Sequence, residues 1–153
     1  MGGRMEELQD KPAEPESGRI LDRNLFFYLL DLEVKRARRY QNFLCILLLK
    51  LTRLPDNEEA NGIQTCFHMV RNLLVEEMRE SDIPGLLGEN RLVVLLPYAD
   101  VIAGGHAKSR LESTLRYLDF GRKGCEVLID QICFPVNGTN PADLIKKALG
   151  AEA

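Results

Sequence analysis

The chain has 153 residues, 45% of them apolar, which suffices for one buried core and sets the expectation of a single domain. A net charge of −3 and a sequence pI of about 5.5 supply no overall basic field, so nucleic acid is not an expected partner. The longest uncharged apolar run, Asn42 to Leu49, is far too short to cross a bilayer, and no basic, apolar, small-residue leader opens the chain, so neither membrane insertion nor secretion is expected.

The opening Met-Gly is not read as a myristoylation signal, because Glu6 stands where Ser or Thr would be required. Cys45, Cys66, Cys125 and Cys133 show no Cys-x-x-Cys spacing, and three of them lie in apolar runs. They read as buried free thiols in a reducing cytoplasm. With only His68 and His106 and no clustered ligands, a zinc site is not expected.

In chain order, Met1 to Gly18 is polar, carries Pro and Gly and lacks periodicity, so residues 1–19 read as a disordered arm and residues 20–150 as the folded domain. A helix follows, capped near Asp22 or Asn24, with Phe26, Leu29, Leu30, Glu33, Ala37 and Tyr40 along one face. Its end, KRARRY, places cations where the helix dipole favours them and reads as a solvated helix terminus rather than a phosphate site. Phe43 to Leu51 is a continuous apolar run of strand length, suited to a central strand covered on both faces. A polar loop, TRLPDNEE, leads to a second helix from about Ala60 or Asn61 to Arg79. Its buried stripe is Ile63, Phe67, Val70, Leu74 and Met78, widened by Cys66, Met69 and Leu73, with His68 beside it as a packed or surface imidazole.

Next comes Arg79-Glu80-Ser81-Asp82, then a short apolar run, a Gly-Glu-Asn turn and Leu92 to Leu96, which together predict a β-hairpin ending in a buried strand. Tyr98-Ala99-Asp100 opens a third helix running to about Leu118, with Ala103, Ala107, Leu111 and Leu115 as its seam and Arg110 outside it. Gly104 and Gly105 weaken its early turns by about 1 kcal/mol each. A Gly-bearing loop, FGRKG, precedes a strand from Glu126 to Phe134, and Pro135 to Asn140 makes a turn. Pro141 then opens a last helix, Ala142 to Leu149, at the position where a missing N–H costs least. The order is helix, β-α-β-β-α-β, helix. It predicts an α+β, ferredoxin-like antiparallel sheet with helices packed mainly on one face. Such a fold hosts many activities, so function has to come from a site.

Set side by side, these segments resemble the GGDEF domain of bacterial diguanylate cyclases over Ile20 to Leu149. That family reads Arg-x-x-Asp, five residues, Gly-Gly-(Asp/Glu)-Glu-Phe, then an apolar strand ending in Pro. This chain reads Arg79-Glu80-Ser81-Asp82, five residues, Gly88-Glu89-Asn90-Arg91-Leu92, then an apolar strand ending at Pro97. The late strand followed by CFPVNGTNPADLIKKAL is also similar to the family's final strand, turn and helix. The resemblance implies the nucleotidyl cyclase-type sheet and a bacterial, cytoplasmic setting.

The resemblance also implies a lost activity. Family members that condense two GTP molecules hold Mg²⁺ on carboxylates, which neutralise phosphate charge through the metal and help generate the attacking oxygen. One carboxylate comes from a Leu-Asp-Ile-Asp type strand end, matched here by Leu49, Lys50, Leu51 and Thr52; the acidic pair of the signature is matched by Asn90 and Arg91. Hard anionic oxygens are missing at both places, Lys50 and Arg91 add positive charge, and Glu89 replaces a glycine that lets phosphate approach. The expectation is no cyclase activity and no Mg²⁺ or other cofactor. A family-type inhibitory site for cyclic di-GMP, in contrast, matches Arg79 and Asp82, with Arg110 at the spacing of its third residue. Guanidinium groups bond phosphate bidentately and lie flat on guanine, and a carboxylate such as Asp82 can accept from the guanine edge. Charge-assisted bonds of about 1.5–3 kcal/mol each can add up to the roughly 8 kcal/mol of micromolar binding.

The same residues also read as solvated helix-end charges or a local ion pair worth about 0–1 kcal/mol, with Lys108 and Arg116 as solubilising neighbours. The expected function is therefore an inactive GGDEF-like cyclic di-GMP receptor that passes its signal to a protein partner, with homodimerisation left open. The alternative is a ligand-independent interaction or scaffold domain, and a GTP sensor without turnover is disfavoured by Glu89 and the missing acids.

Overall fold

The structure is a computed structural model and describes residues 19–55 and 62–150. The expected arm therefore lies, except for Arg19, outside the described residues. The first helix, α1 (Arg23–Tyr40), starts where Asp22 accepts the Leu25 N–H at 2.8 Å. That bond satisfies one of the donors left orphaned by the first helical turn. Phe26, Leu30, Val34 and Ala37 are its buried residues. Val34 thus takes the core position expected of Glu33, which instead pairs with Arg36, and Tyr40 is 62% exposed rather than buried. The helix stops at Gln41, whose φ of 56° breaks the right-handed run.

The strands β1 (Leu44–Arg53), β2 (Ile83–Gly88), β3 (Arg91–Pro97) and β4 (Cys125–Phe134) form one antiparallel sheet in the order β2-β3-β1-β4. The helices α2 (Gly62–Glu77), α3 (Val101–Leu118) and α4 (Pro141–Gly150) complete the order, with a 3-10 turn at Phe120–Lys123. The α+β, β-α-β-β-α-β expectation holds. The expected placement of the helices mainly on one face does not. Cys45, Leu47, Leu49, Leu92, Val94 and Leu96 pack with α2 and α3, whereas Leu44, Ile46, Leu48, Val93 and Leu95 pack with α1 and α4. The apolar run of β1 has no polar side chain before Lys50, so both of its faces need cover, and the helix pairs supply it.

On α3, Gly104 is buried in the seam position expected of Ala103, which is exposed. A Cβ at Gly104 would stand 2.7 Å from Cys45 Sγ and 2.6 Å from Gln131 Nε2. The glycine lets α3 sit directly on the sheet, which offsets its poor helix propensity. All four cysteines are buried and free. Burial, then the Cys133 thiol facing it across the β1–β4 pair, pushes the Cys45 thiol up to about 12. Burial, then Cys125, does the same for Cys66.

The chain leading into α1 also joins the sheet. Leu21 donates its N–H to Pro84 O at 3.0 Å and accepts from Leu86 N–H at 2.8 Å, a parallel bridge along the outer edge of β2. Among the described residues, no helix is long and apolar enough to cross a membrane.

Candidate ligand site

The hairpin between β2 and β3 turns on Glu89 and Asn90, with Asn90 at φ 60°, a conformation asparagine tolerates better than most side chains. The register sets Lys50 directly opposite Arg91 on the paired strands β1 and β3, and Leu51 N–H bonds Asn90 O at 2.9 Å. Two cations therefore face each other at the mouth of the hairpin. Beside the hairpin, a cleft of about 270 Å³ is lined by Gln64, Phe67, His68, Leu86, Gly88, Glu89 and Asn90. His68 is thus an exposed cleft residue, and Gln64 is one that sequence reasoning did not single out. Leu92, the last signature residue, is fully buried in the core. A larger cleft of about 490 Å³ lies between the end of α3 and the start of β4.

Arg79 and Asp82 lie in the turn between α2 and β2. Asp82 is the buried charged residue of the described chain, its side chain 1% exposed. One carboxylate oxygen accepts the Arg79 backbone N–H at 3.0 Å and the other accepts from the Arg79 guanidinium at 3.4 Å. The Asp82 N–H returns a bond to Arg79 O at 3.0 Å. Buried charge is tolerated because both oxygens have donors. The Arg79 side chain itself is 62% exposed, so its guanidinium is held on one edge and open on the rest. This differs from the expected division of labour: with the turn closed, Asp82 faces Arg79 and has almost no surface to offer a guanine edge.

Arg110, on α3, sets its Nε 3.7 Å from Glu77 Oε2 in the last turn of α2. The pair is loose and partly exposed, and it brings Arg110 to the helix end that leads into Arg79. Arg79 and Asp82 are thus in direct contact, while Arg110 reaches this corner through Glu77, two residues before Arg79. The turn has a further participant that sequence reasoning assigned to the arm. Arg19 Nη2 donates to Arg79 O at 2.9 Å, Asp82 O at 3.2 Å and Glu80 O at 3.4 Å. Lys108 is partly buried, and Arg116 is exposed at the larger cleft.

No protein-family model matches the chain, and no curated protein matches it. Solved structures do. A DGC protein from Thermotoga maritima has a TM-score of 0.74 at 16% identity, over 87% of this chain and 95% of its own. The GGDEF domain of a Pseudomonas aeruginosa protein gives 0.73 at 20% identity, over 86% of this chain and 81% of its own. The GGDEF domain of DgcB from Caulobacter crescentus, solved in complex with c-di-GMP, gives 0.67 at 11% identity, over 86% of this chain and 80% of its own. At these identities the likeness concerns architecture, and the architecture here is that of the GGDEF domain.

Proposed function

We propose that the chain is a GGDEF-fold signalling domain that has lost cyclase chemistry and binds cyclic di-GMP at the Arg79 corner. The observation that carries this reading is the buried Asp82 locking the base of an exposed Arg79, with Arg110 attached to the same helix end. Asp82 fixes the backbone from which Arg79 projects, so the turn is ordered before an anionic, planar ligand arrives and less freedom is lost on binding. Arg110 exchanges its 3.7 Å contact with Glu77 for a phosphate oxygen, a shorter and stronger charge-assisted bond. Asp82 acts as a positioning residue, and the cation at Arg79 does the contacting.

The inactive half of the reading rests on Lys50 facing Arg91 where metal-bound triphosphate would need anionic oxygens. Isothermal titration with cyclic di-GMP tests the receptor half. Wild type binds in the micromolar range, and Arg79→Ala or Arg110→Ala weakens binding roughly 10- to 100-fold. Absence of heat with wild type, or unaltered affinity in Arg79→Ala, refutes it. Incubation with GTP and Mg²⁺ tests the other half, which fails if the cyclic dinucleotide forms.

A second reading, a ligand-independent interaction domain, is favoured by exposed apolar side chains at the end of the sheet away from the β2–β3 hairpin. Phe43, Tyr98 and Ile102 are 47%, 67% and 70% exposed, where β1 begins, β3 ends and α3 starts. Exposed apolar groups of this kind accompany protein interfaces. A chain that stays monomeric in sedimentation and captures no partner counts against this reading and against homodimerisation.

A further inference from the structure

The turn that carries Arg79 is built from two distant parts of the chain, and the second part is the segment leading into α1. The helix α2 ends at Glu77, and the carbonyl oxygens of the turn that follows lie just past its negative pole. Arg79 O, Glu80 O and Asp82 O all accept from the same Arg19 nitrogen, at 2.9, 3.4 and 3.2 Å. Two residues later Leu21 is stitched to the edge of β2 through Pro84 O and Leu86 N–H. Arg23 Nη1 adds a bond to Leu87 O at 3.3 Å. A single cation thus sits among the carbonyls of the turn from which the 62% exposed Arg79 side chain projects.

Resting on the reading of Arg79 as a phosphate-binding group, we propose that Arg19 is a positioning residue for that site and couples it to the lead-in segment. Two physical effects act in the same direction. The Arg19 charge offsets the negative pole of α2, which would otherwise repel an approaching phosphate. Its hydrogen bonds also fix the turn in the form in which Asp82 grips Arg79. Ligand bound at Arg79 then stabilises the closed turn, and the closed turn holds residues 19–22 against β2. The coupling is reciprocal, as linkage requires: what docks the segment tightens the site, and what fills the site tightens the segment. The domain is then built to report occupancy of the corner as a change in how firmly its leading segment is held.

The test uses the full chain with Arg19→Ala, Arg19→Lys and cyclic di-GMP as probe, read by calorimetry and amide hydrogen exchange. Arg19→Ala weakens binding about tenfold, and Arg19→Lys, which keeps the charge with fewer donors, recovers part of the loss. In wild type, the probe slows exchange of the Leu21 and Leu86 amides, which lie in the stitch and away from Arg79. In Arg19→Ala these amides exchange faster without ligand, and the probe slows them less. Unchanged affinity in Arg19→Ala, or Leu21 and Leu86 amides indifferent to the probe, overturns this inference while leaving the receptor reading intact. Wild type that binds no probe overturns both.

Discussion

Replacing Asp82 with alanine separates the structural work of this carboxylate from the binding work of its partner. In the folded chain its oxygens accept the Arg79 N–H at 3.0 Å and the Arg79 guanidinium at 3.4 Å, with the side chain 1% exposed. The first bond is charge-assisted and shielded from solvent, so its loss costs about 1.5–3 kcal/mol and leaves a partly buried N–H unpaired. The second contributes about 0–0.5 kcal/mol, because the guanidinium end is mostly in water. The sum is about 2 kcal/mol, which in a domain of this size lowers Tm by roughly 4–8 °C. Asp82→Asn keeps an acceptor without the charge and loses about half as much. Arg79→Ala preserves the backbone N–H that Asp82 caps, so its Tm stays within about 2 °C of wild type. Thermal unfolding followed by circular dichroism, run beside cyclic di-GMP titration, gives the contrast directly: Asp82→Ala loses stability and affinity, Arg79→Ala affinity alone. Equal Tm values for wild type and Asp82→Ala, or equal destabilisation by the two alanine variants, would refute the reasoning.

Adjacent glycines on α3 are expected to respond with opposite sign. Gly104→Ala drives a methyl into Cys45 and Gln131 and costs about 1–3 kcal/mol, whereas Gly105→Ala, whose nearest neighbour is 3.8 Å away, gains about 0.5–1 kcal/mol; urea midpoints measure both. Gly85→Ala meets Phe26 at 2.7 Å in the core and destabilises like Gly104→Ala. Cys45 and Cys66 are raised from 9.0 to about 12, so the folded chain keeps protons there that the unfolded chain releases above pH 9. The stability tied to these thiols is therefore complete below pH 9 and is lost as pH rises towards 12, which urea midpoints at pH 8 and pH 10 under reducing conditions will register. The same burial makes the thiols slow towards an aromatic disulfide reagent at pH 8 until denaturant is added.

What could be read from the sequence was what neighbouring residues decide among themselves. Asp22 as a cap, the turn at Glu89 and Asn90, Pro141 opening α4 and the buried run of β1 all follow from chemistry within a few positions. The features missed depend on residues far apart in the chain. Periodicity says that α1 has an apolar side but not which face of the sheet it meets, so the placement of α1 and α4 on the second face does not follow from it. Gly104 looks like a flaw in a helix until Cys45 and Gln131 are brought beneath it. Within RESD, Asp82 reads as a guanine acceptor, a solvated charge or a local ion pair with Arg79; the ion pair is present, and the burial of Asp82 comes from the turn closing over it. Arg19 has no local signal at all, since its partners lie about sixty positions away.

The first helix acts as a lid for one side of the sheet, and that governs where the domain can be cut. Removing residues 19–40 would strip cover from Leu44, Ile46, Leu48, Val93 and Leu95 and free the rim of β2 that Leu21 now occupies. A fragment starting at β1 would present a wide greasy plane beside an open strand edge, the combination that drives sheets to stack and stick. The helix that precedes the first strand is therefore as much a guard against self-association as a part of the core.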